Sequence, residues 1–384
     1  MIRRLAAAAA PLLVVAAAGL GVVGALEPRR DASPEAASLR RSVERLLALQ
    51  SEDGGWKSAT YGLLRGGQSL TPFVLAALLE LPPGDASVPP AAVDRALAFI
   101  ARHVDANGAL GRDSDAAEDY PNYATALAVK AIALARRDGW REAIAPMVAE
   151  LRRQQLTEDR GFTPADAAYG GWGIGGPLRV APFAGHVDLS MTRVVLEGLR
   201  AAGVEPGDPA LEKARVFVGR CRDAASGGFF FSPVVLEANK AGESQDGRPV
   251  PYGTPTADGL LSLLAIGAAA DDPAVAAARE FLLARFRADV CPGPRPDAVP
   301  RWDDALRGYW RSVAARSLAA VGALVPGDPR ATALARAIAL DAAPDGTHRN
   351  PSPLMKEDDP LIATTLAVEA LSRVVARAGI PALD

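Results

Sequence analysis

The sequence is poor in soft and reactive side chains. Of 384 residues only 2 are cysteine and 3 histidine, and none has the spacing of a zinc ligand set or a Cys-x-x-Cys pair. Aromatic residues amount to 5%, and the residue types that favour strands are scarce. Lysine is nearly absent, 5 residues beside 37 arginines, and 42 basic against 45 acidic residues leave a net charge of −3. With no basic surplus to neutralise phosphates, nucleic acid is excluded as a partner. The glycine-rich run YGGWGIGGP (169–177) has no Lys and no strand before it, so it is not a phosphate loop. It reads as a tightly turned insert that covers a cavity mouth. What is present is apolar: 49% of residues are hydrophobic and 79 are alanine. High apolar content at low net charge excludes intrinsic disorder, and an Ala/Leu/Arg/Glu-rich chain of this kind predicts an all-α fold.

The first 30 residues stand apart. Arg3 and Arg4 precede an uncharged stretch from Leu5 to Leu26, and Val23 and Ala25 offer a cleavage site after Ala25. Residues 1–30 are therefore expected to be a signal peptide or an uncleaved N-terminal membrane anchor through 5–26, placing the protein in the periplasm or outside the cell. No Cys follows the stretch, which excludes a lipoprotein anchor. Export also permits a disulfide between Cys221 and Cys291; the alternative is two buried thiols.

Beyond residue 30 the chain repeats. Six nearly apolar segments begin with a polar or aromatic lead-in and a Thr or Ser: QSLTPFVLAALLEL (68–81), DYPNYATALAVKAIALA (119–135), HVDLSMTRVVLEGLRAAG (186–203), PYGTPTADGLLSLLAIGA (251–268), GYWRSVAARSLAAVGAL (308–324) and DDPLIATTLAVEALSRV (358–374). Such helices are buried on most sides. Amphipathic helices are expected between them at 35–50, 90–104, 141–155, 208–222, 272–287 and 328–341. Three of these start on Asp-Pro, an N-cap acceptor followed by a residue that needs no N–H there. An apolar inner ring wrapped by a more polar outer ring predicts a single α/α toroid of six helical hairpins, one domain over 31–384. Long inserts fall at 156–186, 223–253 and 288–307, each before an inner helix.

The repeats carry a further pattern. RRSVERLLALQSEDGGW (40–56) has Gln50, Gly54 and Trp56; EKARVFVGRCRDAASGGF (212–229) has Lys213, Ala214, Phe217, Val218, Gly227 and Phe229; DRALAFIARHVDANGAL (94–110) has Arg95, Ala96, Phe99, Ile100 and Gly108. These resemble the repeats of the terpenoid cyclase and protein prenyltransferase superfamily, squalene–hopene cyclases in particular. The resemblance spans the chain after residue 30 and implies the toroid. It does not bring the superfamily's chemistry with it. No Asp-x-Asp-Asp acid motif occurs: WDDA (302–305) and KEDDP (356–360) have only adjacent Asp pairs, and DSDAAED (113–119) has Ala116 in the final place. The Asp-Asp-x-x-Asp diphosphate motif is missing. Where a prenyltransferase holds zinc with Asp-Gly-Cys, this chain has Asp258-Gly259-Leu260, so thiolate ligation is lost and no metal or other cofactor is expected.

The remaining pointer is placement. All six tyrosines, with Trp172, Trp302 and Trp310, fall in the lead-ins or first turns of inner helices, which meet at one rim of the ring. Tyr120, Tyr123, Trp172, Tyr252, Trp302, Tyr309 and Trp310, with His186 and Asp188, are the candidate ligand-binding residues. Asp258 and the pair Asp303/Asp304 are the candidate catalytic carboxylates, because an acid/base site needs a desolvated carboxyl beside an ionised one. Function divides three ways: a toroid binding an apolar isoprenoid or lipid, or a partner protein, at its aromatic rim; a terpenoid cyclase-like enzyme with a non-standard Asp acid; or a secreted glycoside hydrolase or polysaccharide lyase, a class that uses similar toroids.

Overall fold

A computed structural model of the chain describes residues 33–82, 88–112 and 119–375. The expected export segment 1–30 and the Asp-x-Asp at 113–115 lie outside the described residues. Among the described residues the regular structure is helical, with isolated bridges and no strands, and no helix is long and apolar enough to cross a membrane.

The inner ring is α2 (Leu70–Leu79), α4 (Pro121–Ala135), α6 (Leu189–Ala201), α8 (Gly253–Ile266), α11 (Arg307–Ala320) and α13 (Pro360–Val374). The outer ring is α1 (Pro34–Ala48), α3 (Pro90–His103), α5 (Trp140–Gln154), α7 (Pro209–Arg220), α9 (Pro273–Ala284) and α12 (Pro329–Leu340), with a short α10 (Trp302–Ala305) before α11. Each inner helix packs on the next, and α13 packs back on α2. The first outer helix has its partner at the far end of the chain: α1 lies against α13 and α12. Closure of the ring is therefore a contact between the two ends of the fold.

Outer helices start where the sequence predicts. Asp208, Asp272 and Asp328 each accept an N–H from the residue two positions on, ahead of Pro209, Pro273 and Pro329. Connections from inner to outer helices are short turns such as 136–139, 202–208 and 267–272, whereas the long segments 155–188, 221–252 and 285–306 all lead into inner helices. One face of the ring thus carries the inserts, and the inner helices begin there.

A repeated joint holds the wall. At Gly54, Gly108, Gly170, Gly227 and Gly346 the chain takes positive φ and lies against the backbone of a neighbouring outer helix, at Arg95, Pro146, Lys213, Ala277 and Arg41 respectively. A Cβ on Gly170 would sit 1.9 Å from the Lys213 carbonyl oxygen, at φ +83°, so only glycine fits. Two residues further on, the backbone N–H groups of Trp56, Leu110, Trp172, Phe229 and His348 donate to Thr71, Thr125, Thr192, Thr256 and Thr364 of the inner helices. In five of the six apolar segments the opening Thr is thus an acceptor for a buried N–H, which would be costly to leave unpaired. Gln50 bridges the Gly54 and Ala92 carbonyls, and Gln155 bridges those of Gly170 and Ala210. The third repeat therefore owns the full Gln-Gly-Trp pattern, hidden in the sequence because an insert separates Gln155 from Gly170.

Candidate functional site in the ring centre

Several expected rim aromatics belong to the wall instead. Trp172 and Trp310 are fully buried, with indole N–H groups 2.7 Å from the carbonyls of Leu151 and Arg287. Tyr252 is buried too, its backbone N–H donating to Phe229. These three are packing residues, because their large rings fill the gap between inner and outer helices. Trp302 faces the Lys240 ammonium, 4.3 Å from the ring centroid.

The tyrosines that do reach the mouth of the ring are Tyr61, Tyr120, Tyr123 and Tyr309, all half-buried. Lys356 stands between Tyr61 and Tyr120, 5.7 Å from each ring centroid, and donates to the Tyr120 hydroxyl at 3.2 Å. Tyr61 donates to Asp358, and burial with that bond pushes its phenol up to about 12. Tyr120 and Lys356 hold φ of 46° and 59°; backbone strain in non-glycine residues of this kind gathers at functional positions.

Beneath the mouth lies Asp258. Its side chain is buried, 2.8 Å from the Arg193 Nε and 2.9 and 3.0 Å from the Tyr309 hydroxyl, which also lies 2.8 Å from Ser190 Oγ. Burial raises the Asp258 carboxyl to about 6, against the pull of Arg193 and the Tyr309 hydrogen bond. Tyr309 is itself set by Glu357, whose carboxylate accepts the N–H groups of Gly308 and Tyr309 at 2.8 Å each and Asn350 Nδ2 at 3.0 Å. Burial pushes Glu357 up to about 7.

Deeper still, ion pairs cross the ring. Glu197 receives Arg193 at 3.0 Å, Arg316 at 2.6 Å and Lys130 at 3.4 Å; Lys130 also pairs with Glu80 at 2.6 Å, and Arg373 with Glu80 at 3.3 Å. Ser312 donates to Glu369 at 2.5 Å. Burial opposes the charge on Glu197, but Arg193, Arg316 and Lys130 hold it well below the usual carboxylate range. All six inner helices contribute, with Glu80 as the residue closing α2. Sequence reasoning missed this lattice. Its signal was the charges set inside apolar segments, as in ALAVKAIALA and VVLEGL, where a charge survives burial only with partners.

The remaining candidates separate. Asp303 pairs with Arg301 at 2.8 Å, and that hydrogen bond lowers its pKa despite some burial. Asp304 lies 3.3 Å from Arg307. The expected acid/base pair is thus two local ion pairs, each carboxylate answered by its own arginine. His186 lies 3.2 Å from Asp188, which caps α6 through the Met191 N–H; the Asp188 bond raises the imidazole pKa. Cys221 and Cys291 are both free and buried, not joined, and burial raises both thiols. Among the described residues no three His, Cys, Asp or Glu side chains are grouped to hold a metal.

No protein-family model and no curated protein matches this sequence. Solved structures do. The type II terpene cyclase MstE from Scytonema aligns at 16% identity with a TM-score of 0.57, over 88% of this chain and 97% of its own. An unsaturated glucuronyl hydrolase from a Bacillus species, responsible for the degradation of glycosaminoglycan, aligns at 15% and 0.54, over 88% and 96%. A protein from Actinoplanes aligns at 18% and 0.52, over 88% and 98%. At these identities the likeness is one of fold: the chain is an α/α toroid of the terpenoid cyclase-like kind.

Proposed function

We propose that this chain is an exported toroid that binds a small ligand with an apolar, isoprenoid-like body and a hydrogen-bonding head. The body packs on the faces of Tyr61, Tyr120 and Tyr123, and the head meets Lys356 and the Tyr309 hydroxyl. The carrying observation is the Asp258–Arg193 pair above the ion lattice. A prenyl chain pushed through the ring centre would strip Glu197 and Lys130 of partners, so the ligand stops at the mouth. Protonating an alkene needs an undissociated acid facing a π bond, whereas a guanidinium at 2.8 Å favours the ionised carboxylate. MstE has been crystallised with geranylgeranyl dihydroxybenzoate, a prenyl chain on a polar head, which is the kind of ligand this mouth suits. Native mass spectrometry before and after organic extraction tests the reading. An extractable adduct is expected, with thermal stabilisation by prenyl compounds that drops at least five-fold in apparent affinity in Tyr309→Phe. No adduct and no stabilisation overturns it, and stabilisation by saccharides alone transfers the assignment to the hydrolase class.

A second reading has one observation in its favour. Asp258 at about 6 is partly protonated near neutrality, as the acid of a terpenoid cyclase-like enzyme must be. Polyene incubations that give cyclic product in the native protein and none in Asp258→Asn would establish it; an unchanged product profile removes it.

A further inference from the structure

Beside the mouth, and separate from it, a cleft of about 90 Å³ opens between the first insert, the start of α4 and the end of α5. Its floor is apolar, formed by Leu156, Ile174 and Ala184. Its polar groups are of two kinds. Asn122 and Gln154 are 2% and 7% exposed and line the cleft. Their amide nitrogens are spent on backbone and carboxylate acceptors, at Gly173 for Asn122 and at Glu150 and Gly176 for Gln154. Their amide oxygens accept no hydrogen bond among the described residues. Two acceptors on buried side chains that line a cleft are free to take donors, which the hydroxyls of a ligand supply. The other kind is cationic. Arg179 makes no ion pair among the described residues and lines the same cleft. His186 engages Asp188 through Nε2 at 3.2 Å, which leaves Nδ1 as the free ring nitrogen.

We propose that this cleft binds a small hydroxylated carboxylate with the chemistry of a sugar acid. Arg179 and His186 take the carboxylate, the Asn122 and Gln154 amide oxygens accept from hydroxyls, and the apolar floor receives the C–H face of the ring. A bare sulfate offers no donor to the two amide oxygens. A neutral sugar leaves the arginine unanswered.

The charge of His186 is set by groups on two segments, its own and the insert 221–252. Asp188 raises its pKa, partial burial and Lys240 oppose, and Glu237 supports. Binding is therefore strongest with the imidazole protonated and weakens as pH rises through its raised pKa.

The test is calorimetric or NMR titration of the full mature chain with glucuronate, with glucose and acetate as probes of each half of the ligand. Saturable glucuronate binding is expected, at least ten-fold tighter than either control. It should weaken at least five-fold in Arg179→Ala and in His186→Gln, both at exposed positions where folding is checked by circular dichroism, and it should weaken between pH 5.5 and 8.5. Tyr309→Phe should leave it unchanged, so this site and the mouth stand or fall separately. Glucuronate binding no tighter than acetate, or equal in native protein and both variants, overturns the proposal.

Discussion

The wall of the ring and its centre are built on opposite plans. The wall repeats: a left-handed glycine, an apolar residue two positions on, and a Thr acceptor recur from hairpin to hairpin. The centre repeats nothing. Each inner helix supplies a different charge or hydroxyl at its own height, and these close into one lattice around Glu197. The wall is a stack of equivalent contacts between neighbours, whereas the centre needs all six helices in place before any charge finds its partner. Function is therefore to be sought where the repeat is broken.

The comparison breaks most visibly in the wall. Trp172→Ala removes a fully buried ring and its hydrogen bond to Leu151; a loss of about 3–5 kcal/mol is expected in urea unfolding. A loss below about 1 kcal/mol would mean the joint is not structural. In the centre, Glu197→Gln leaves Arg193, Arg316 and Lys130 short of an anion, for which about 3 kcal/mol is expected. Adding Arg316→Met to Glu197→Gln should recover part of that loss, because Arg316 pairs with Glu197 alone among the described residues and an unanswered charge is removed with it. Simple additivity of the two substitutions would show that the lattice is not coupled.

Smaller effects come from pH. Asp258 and Glu357 are raised, to about 6 and about 7. The folded state therefore holds their protons more tightly than the unfolded chain, and their stabilisation, full at low pH, is lost as pH rises through those values. His348 is depressed to about 4 by burial, within 3.0 Å of Ser42, and acts in the opposite sense, losing stability as pH falls towards 4. The stability difference between native protein and Glu357→Gln should thus shrink by on the order of 1 kcal/mol between pH 4.5 and 7. A difference constant with pH would place the proton elsewhere. The least effect belongs to the insert face: Phe183, 75% exposed, replaced by Ser should leave stability within about 0.5 kcal/mol in the same unfolding assay.

Legibility followed the same division. Periodicity, Asp-Pro starts and glycine turns located the helices, because each is settled by a few consecutive residues. The third repeat was missed where an insert split Gln155 from Gly170. Asp258 was singled out as an exception in an apolar segment, and Tyr309 by its place in a lead-in. Placement in a lead-in misdirected the reading of Trp172, Tyr252 and Trp310, since a lead-in aromatic turns either to the mouth or into the wall, depending on the neighbouring hairpin. Asp303 and Asp304 looked like a pair because they are adjacent, yet adjacent residues of a helix do not face each other.

Sparse aromatics and abundant alanine, read along the chain, determined an all-helical ring and the order of its elements, for these follow from local propensity and the period of apolar residues. Tertiary structure alone decided that α1 closes on α13, that the centre is charged, and that Asp258 meets Arg193 and Tyr309. Those contacts join residues far apart in sequence, and a buried charge is tolerable only when the whole ring has brought its partners to it.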